Sequence, residues 1–373
     1  MGPDDVLRFL RNPGRLYSRI GLSVRYGLRL RKPRLLLRLA RSYAMAVAGM
    51  RPIRTVDFAP SYRCNMRCEH CFAAPLADPS RPELEPHEYR RIADEADALG
   101  AVHVAFQGGE PLAYPRLAEV IRAVDPGRFV VSVTTNAALL DAARVGDLAS
   151  LGVDMLTISV DSAIPEEHDR FRSHPGAHAG VMRAIDAALG AGQSVCLNTC
   201  VTHATVRGPG FLGIVDLCRE RGLKLTVVLP AFAGRWREQF DLMLSEDDRR
   251  FLDRLMAANP FIRRDLDANY LRWGCGAVKE MVYVSAYGDV FPCAYIHCSL
   301  GNLREEPLRD VLRRGLRVPA FAGYAPRCLA MEDLDFIRGR MNVTAGARRL
   351  PVPFAAMFPE HADAPPPARR GRS

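Results

Sequence analysis

Long apolar stretches are scarce in this chain of 373 residues. The most apolar, such as Ala44-Met45-Ala46-Val47-Ala48-Gly49-Met50, fall far short of the roughly 20 residues that cross a bilayer. No charged, hydrophobic and small-residue signal precedes them, so a cytoplasmic protein is expected. The nine histidines are scattered without paired ligand spacing, which argues against a histidine-built metal site. Beyond the N-terminus the chain also lacks an excess of either charge. Residues 1–54 hold thirteen Lys/Arg against Asp4 and Asp5, which leaves thirty-eight bases and forty acids for the rest. A body so balanced presents no basic face, and no nucleic-acid partner is expected. The basicity belongs to an arm, residues 1–53, read as short helices broken at Pro13 and Pro33. Such an arm either packs on the body as a solvated collar or touches a membrane surface or an acidic partner.

Cysteine is in unusual supply. Of ten, three fall within Cys64–Cys71 and four (Cys275, Cys293, Cys298 and Cys328) lie in the last hundred residues. Clustered cysteines in a chain long enough to bury a large core read as metal ligands rather than disulfides. From Arg54 to about Pro230 strand-like and helix-like stretches alternate. The strands are read at Val56–Ser61, Val102–Gln107, Phe129–Thr135, Met155–Asp161, Val195–Val201 and Lys224–Leu229. The helices between them are Pro86–Leu99, Pro115–Val124, Asp141–Leu151, Ala179–Ala191 and Pro209–Arg221. Gly100, Gly152, Gly192 and Gly222 follow four of these where a left-handed C-terminal residue is wanted. Six strands with intervening helices imply a parallel α/β sheet with right-handed crossovers, whose ligands collect at the carboxyl ends of the strands.

Every motif with chemistry in it falls at such an end. After the first strand comes Cys64-Asn65-Met66-Arg67-Cys68-Glu69-His70-Cys71, spaced C-x3-C-x2-C. Three thiolates are one short of a closed zinc or iron–sulfur site. After the second comes Gln107-Gly108-Gly109-Glu110-Pro111, where paired glycines admit close backbone approach and Glu110 offers a negative group to an ammonium. The pair of motifs resembles the signature of the radical S-adenosylmethionine (SAM) superfamily, and a half zinc site is the alternative. The resemblance implies a partial (β/α)6 TIM-like barrel. It also implies a 4Fe–4S cluster on Cys64, Cys68 and Cys71 whose open iron chelates SAM, with Gln107, Gly108, Gly109 and Glu110 around the methionine amino group.

Asn136, after the third strand, has donor and acceptor capacity toward ribose hydroxyls. Ser159-Val160-Asp161-Ser162 and the trailing His168-Asp169-Arg170-Phe171-Arg172 resemble the SPASM branch of the superfamily, which implies that Ser159 and Arg172 help bind SAM. Asp161 either contacts substrate or caps the next helix. On the fifth strand Asn198 is expected at SAM or substrate. Cys200, on the same face, is either a small core residue or a hydrogen-atom donor to a substrate radical.

Further on, Ser245 reads as the cap of a helix to Ala258, with Asp247 and Asp248 in its first turn. Glu280–Cys293 reads as a hairpin, and a helix at Pro307–Arg314 follows. The spacing C-x12-G-x4-C from Cys275 to Cys293 resembles a SPASM domain in its shortened, twitch form. The resemblance implies one auxiliary 4Fe–4S cluster on Cys275, Cys293, Cys298 and Cys328; a structural zinc site is the alternative. The expected organisation is an arm (1–53), a radical SAM core (54–235), bridging helices (236–272), a twitch-like domain (273–345) and a disordered Pro/Ala/Arg-rich tail (346–373).

The activity implied is reductive cleavage of SAM and hydrogen abstraction, with electrons from a flavodoxin- or ferredoxin-type donor. The twitch-like domain resembles that of aminocyclitol and sugar dehydrogenases, so oxidation of a small-molecule alcohol in natural-product (antibiotic) biosynthesis is expected. Peptide modification, epimerisation and action on a lipid-linked substrate remain alternatives.

Overall fold

The computed structural model describes residues 32–264 and 274–362. The first element, α1 (Pro33–Val47), is a single helix that starts at the proline expected to break the arm. Lys32 just before it is buried; its Nζ donates to Phe129 O and Gly152 O at 2.9 Å each and pairs with Asp154. Arg38 chelates Asp97, and Ser42 Oγ donates to Gly100 O at 2.7 Å. Phe129, Gly152 and Asp154 sit just ahead of strands, and Asp97 and Gly100 at the end of the helix that leads into another, so α1 packs as a collar under the amino ends of the sheet. Residues 1–31, the rest of the arm, lie outside the described residues, and with them the membrane and acidic-partner readings. Among the described residues no helix is long and apolar enough to cross a membrane.

The body alternates β1 (Thr55–Phe58), α2 (Pro86–Ala98), β2 (His103–Phe106), α3 (Leu117–Ala123), β3 (Val130–Thr135), α4 (Ala142–Ser150), β4 (Met155–Ser159), α5 (Pro165–Arg172), α6 (Ala177–Gly190), β5 (Ser194–Cys200), α7 (Pro209–Arg221) and β6 (Lys224–Val228). The strands are Val- and Leu-rich and largely buried, as a sheet covered by helices requires. The four helix-ending glycines all have the positive φ expected of them. α5, which contains the His168–Arg172 segment, is an addition to the expected helices.

The sheet is larger than six strands. Its order is β7-β6-β5-β4-β3-β2-β1-β8-β9, where β7 is Ile262–Arg264, β8 is Met281–Val284 and β9 is Val290–Phe291. β7 escaped the sequence reading because it is short and carries Arg263 and Arg264. The expected hairpin is real, β8 and β9 being antiparallel, but β8 also runs parallel to β1 in register Thr55↔Met281 through Phe58↔Val284. Between β6 and β7, α8 (Glu246–Ala258) has the expected Ser245 cap, reciprocated by Asp248.

Beyond the hairpin, β10 (Cys298–Ser299), α9 (Leu308–Gly315) and α10 (Leu334–Gly339) follow. The tail expectation needs correction. Residues 346–362 are ordered: β11 (Val352–Pro353) pairs with β10, and Phe354 and Phe358 join Phe321 and Phe336 in one aromatic cluster. Apolar residues ahead of the Pro/Ala/Arg run carry this segment into the core; residues 363–373 lie outside the described ones.

Candidate active site

The carboxyl ends of β1 to β6 surround one cavity of about 540 Å³. Its wall includes Cys64, Cys68, Cys71, Gln107, Gly108, Gly109, Glu110, Asn136, Ser159, Asp161, Arg172, Asn198 and Cys200, thirteen residues expected from the sequence to work together.

The cysteine loop is held from three sides. Gly109 N–H donates to Ser61 O at 3.0 Å and Glu110 N–H to Arg63 O at 2.8 Å, laying the glycine turn against the stretch that leads into Cys64. A Cβ on Gly109 would come within 2.1 Å of Arg63 O, so this contact admits no side chain. From the far side the Arg235 guanidinium donates to Arg67 O (2.7 Å) and Cys68 O (3.2 Å), and Arg235 N–H to Cys71 O. His70 stacks on Phe171 with 4.7 Å between ring centres, and Trp236 closes over both. Burial lowers the His70 pKa to about 4, so the ring between these aromatics is neutral. Arg235 and Trp236 were not singled out in the sequence; their only signal was their place just after the sixth strand.

Gly109→Ala is expected to force the two backbones apart, at about 1–3 kcal/mol of stability. SAM affinity, measured by calorimetry on reconstituted protein, should fall with it. Unchanged affinity and unfolding midpoint would mean that the close approach is not needed.

Several side chains are used differently from expectation. Glu110 is 2 % exposed, and its carboxylate accepts from Thr135 Oγ1 (2.8 Å), Leu112 N–H (3.0 Å) and Asn136 N–H (2.8 Å). Burial pushes its pKa up against those donors. Asn136, expected at a ribose, donates to Asn65 Oδ1 at 2.8 Å and accepts from Ala138 N–H, so it braces the cysteine loop. Gln107 donates to Asp57 at 2.8 Å.

Asp161 does not cap the next helix, whose N-cap is Ile164. Its Oδ2 accepts from Arg172 Nε at 2.6 Å and its Oδ1 from Cys200 N–H at 3.2 Å, so both oxygens already have protein donors. Burial would raise its pKa, but Arg172 holds it below the ordinary carboxylate value. Arg172 in turn places Nη1 3.6 Å from Cys68 Sγ. Burial raises the Cys68 pKa, and the guanidinium opposes this, favouring the thiolate that binds iron. Ser159 and Asn198 stand opposite each other in the β4–β5 register, and the buried Asn198 Oδ1 has no hydrogen-bond partner. Cys200 is buried beside Asp161, and burial keeps its thiol protonated.

These residues fit an iron–sulfur cluster with SAM. Cys64 is pushed up to about 11 by burial and by Cys68, Glu110 and Cys71 nearby, a repulsion that bound iron would relieve. Among the described residues no three ligand-type side chains close around a point as a single ion requires. An orphaned Asn198 oxygen and a glycine turn open to close approach suit the cofactor.

The second cysteine group gathers differently from expectation. Cys328 is raised by burial and then by Cys275, Cys293 and Glu332, so the two earlier thiols lie within electrostatic reach of it. Gly274 makes this possible: a Cβ there would meet Ala325 O at 2.5 Å, and Cys275 N–H donates to Ala325 O at 2.8 Å. Cys298, expected in this set, stands differently. It is fully buried on β10, and burial alone raises its pKa, without the thiols that act on Cys328. Its spacing suggested a ligand, but the turn at Ile296–Cys298 and the pairing with Val352 carry it into the apolar core.

The comparisons follow the same division. The radical SAM superfamily profile matches residues 58–217, and the SPASM profile, an iron–sulfur cluster-binding domain, matches 275–328. An AdoMet-dependent heme synthase of Methanosarcina barkeri (strain Fusaro / DSM 804) is 27% identical over 277 residues, 66% of this chain and 78% of that protein. A PqqA peptide cyclase of Ruegeria pomeroyi (strain ATCC 700808 / DSM 15171 / DSS-3) is 26% identical over 331 residues, 81% and 86% of the two chains. Among solved structures, Streptococcus suis SuiB bound to the precursor peptide SuiA aligns with a TM-score of 0.59 at 18% identity, over 84% of this chain and 78% of that one, a likeness of fold. The chain belongs to the radical SAM superfamily, in the branch with a SPASM-type domain, and as such is an enzyme of SAM, a 4Fe–4S cluster and auxiliary iron–sulfur chemistry.

Proposed function

We propose that this enzyme is an oxidoreductase that removes a hydrogen atom from a small substrate held in the barrel cavity, the substrate then losing a proton to solvent and its remaining electron to the auxiliary cluster. One observation carries the reading: Tyr295, two residues after Cys293, lines the same cavity as Cys64, Cys68 and Cys71. A substrate there lies between the two cysteine groups, where an acceptor for its electron is useful. When bound, SAM and the first cluster supply the radical that abstracts the hydrogen.

The chain's own residues do the rest. Cys64, Cys68 and Cys71 hold the first cluster, and Arg172, fixed by Asp161, keeps Cys68 ionised. Ser159 and Asn198 offer their polar groups to SAM. Phe72, Trp236 and Tyr295 wall off water. The cavity lies within the range of enclosed small-molecule sites, roughly 300–1,000 Å³. Its only carboxylates, Glu110 and Asp161, are already hydrogen-bonded within the protein, while Arg67 at the rim is exposed. That balance favours a neutral or anionic substrate; nothing in the wall singles out a sugar.

A second reading is peptide modification, favoured by the similarity to a peptide cyclase and by the SuiB fold. Anaerobic incubation with SAM and reductant, scoring 5′-deoxyadenosine and product mass, tests both. Turnover of a small molecule with loss of two hydrogens supports the proposal, and Cys293→Ala should then block oxidation while SAM is still cleaved. Turnover with peptides alone overturns it in favour of the second reading. A product of unchanged mass whose formation needs Cys200 overturns it in favour of epimerisation with that thiol as hydrogen donor.

A further inference from the structure

Lys279 lies in the turn between Cys275 and β8 and is 2 % exposed. A lysine so buried needs a counter-charge, because desolvating an ammonium costs several kcal/mol unless an anion compensates. Its Nζ donates to Phe321 O at 2.8 Å and stands 4.8 Å from the centre of the Tyr324 ring. Both contacts suit a cation, yet neither supplies a full negative charge. Among the described residues no carboxylate forms an ion pair with it. Burial lowers its pKa to about 8, and Cys275, ahead of Glu280, opposes that shift, so the ammonium depends on an anion beside it. Cys275 is a thiolate once it holds iron.

The local backbone fixes this arrangement. Val278 N–H donates to Pro292 O, and Glu280 N–H to Gly276 O, so the turn is tied both to itself and to the residue before Cys293. Phe321, whose carbonyl receives the ammonium, is fully buried and packs on Phe336 and Phe358. Tyr324, under the ammonium, precedes Ala325, whose carbonyl accepts from Cys275 N–H at 2.8 Å, so rigid neighbours hold the ammonium next to the Cys275 turn.

We propose that Lys279 is the buried counter-charge of the auxiliary cluster and raises that cluster's reduction potential. The physical reason is Coulombic. Reduction adds one negative charge to a cluster already carrying thiolates, and a fixed cation in a low-dielectric pocket stabilises the reduced form more than the oxidised one. Lys279 is a positioning residue acting through the cluster, with no contact to substrate. The inference deepens the proposed function, since a raised potential suits an electron acceptor, but its test needs no substrate.

The experiment is an anaerobic redox titration of the reconstituted full chain, following the auxiliary cluster by electron paramagnetic resonance, with the first cluster as internal reference. Lys279→Met keeps the length and removes the charge; Lys279→Arg keeps the charge. The Met variant is expected to lower the equilibrium constant for one-electron reduction at least tenfold, which is about 59 mV for such a couple. The Arg variant should stay near the unmodified protein, and the first cluster should not move. An unchanged auxiliary midpoint in Lys279→Met overturns the proposal. Should the Met variant fail to retain auxiliary iron, retention by the Arg variant supports a requirement for charge, and loss from both overturns it in favour of packing. A normal charge effect with no oxidation of any substrate would leave this inference standing and remove the proposed function alone.

Discussion

Cys68→Ala is expected to reduce SAM cleavage to background. The loop supplies only three thiolates, and an iron–sulfur cluster bound to two of them has no stable place for the iron that chelates SAM. Cys68 is also the thiol that Arg172 approaches at 3.6 Å, so its loss leaves a buried guanidinium facing an empty corner. Iron and sulfide per chain should fall by about half if one of two clusters is lost. Cys298→Ala is the matched control: its side chain is fully buried on β10, paired with Val352, and iron content should not change. A Cys68→Ala protein that still forms 5′-deoxyadenosine would sink the ligand assignment, and iron loss in Cys298→Ala would return that residue to the auxiliary set.

Asp161→Asn is expected to be the most costly of the substitutions that leave all cysteines in place. The variant removes the carboxylate paired directly with the buried Arg172, and breaking a buried ion pair from one side costs about 3–5 kcal/mol. Asn can still accept one hydrogen bond, so the lower end of that range is expected in chemical unfolding. The pH dependence has a definite sign. Because Arg172 holds the Asp161 pKa below its unfolded value, the pair contributes fully above the ordinary carboxyl range and is lost as pH falls through the depressed folded value. The Asn variant should lack that acid-side loss. Equal unfolding midpoints for both proteins at neutral pH would show that the pair does not stabilise the fold.

The barrel was legible in the sequence because each of its signals is local. Helix α7 begins at Pro209, as expected, since proline suits the first turn, and it ends before Gly222. The six strands fall within a few residues of expectation because Val- and Leu-rich runs of that length are bounded by turns. Residues whose meaning depends on a partner elsewhere in the chain were not legible. Asp161 looked like a cap or a substrate contact until α5 brought Arg172 alongside it. Asn136 had the right chemistry for a ribose, but Asn65, seventy-one positions away, already takes its amide. Cys298 matched by count, and nothing in spacing indicated that a strand from the supposed tail would draw it into the core. Lys279 had no signal at all: a lysine in a turn is ordinarily solvated.

The in-register alignment of β8 with β1 has a consequence for how the enzyme can operate. A strand entering the first cysteine loop and a strand of the hairpin that ends at Cys293 are adjacent rungs of one hydrogen-bonded ladder. The gap between the two metal centres is therefore set by covalent and ladder geometry rather than by a hinge. Electron tunnelling across it would have nearly the same rate in every turnover, and variation among substrates would have to come from how each molecule lodges in that fixed gap.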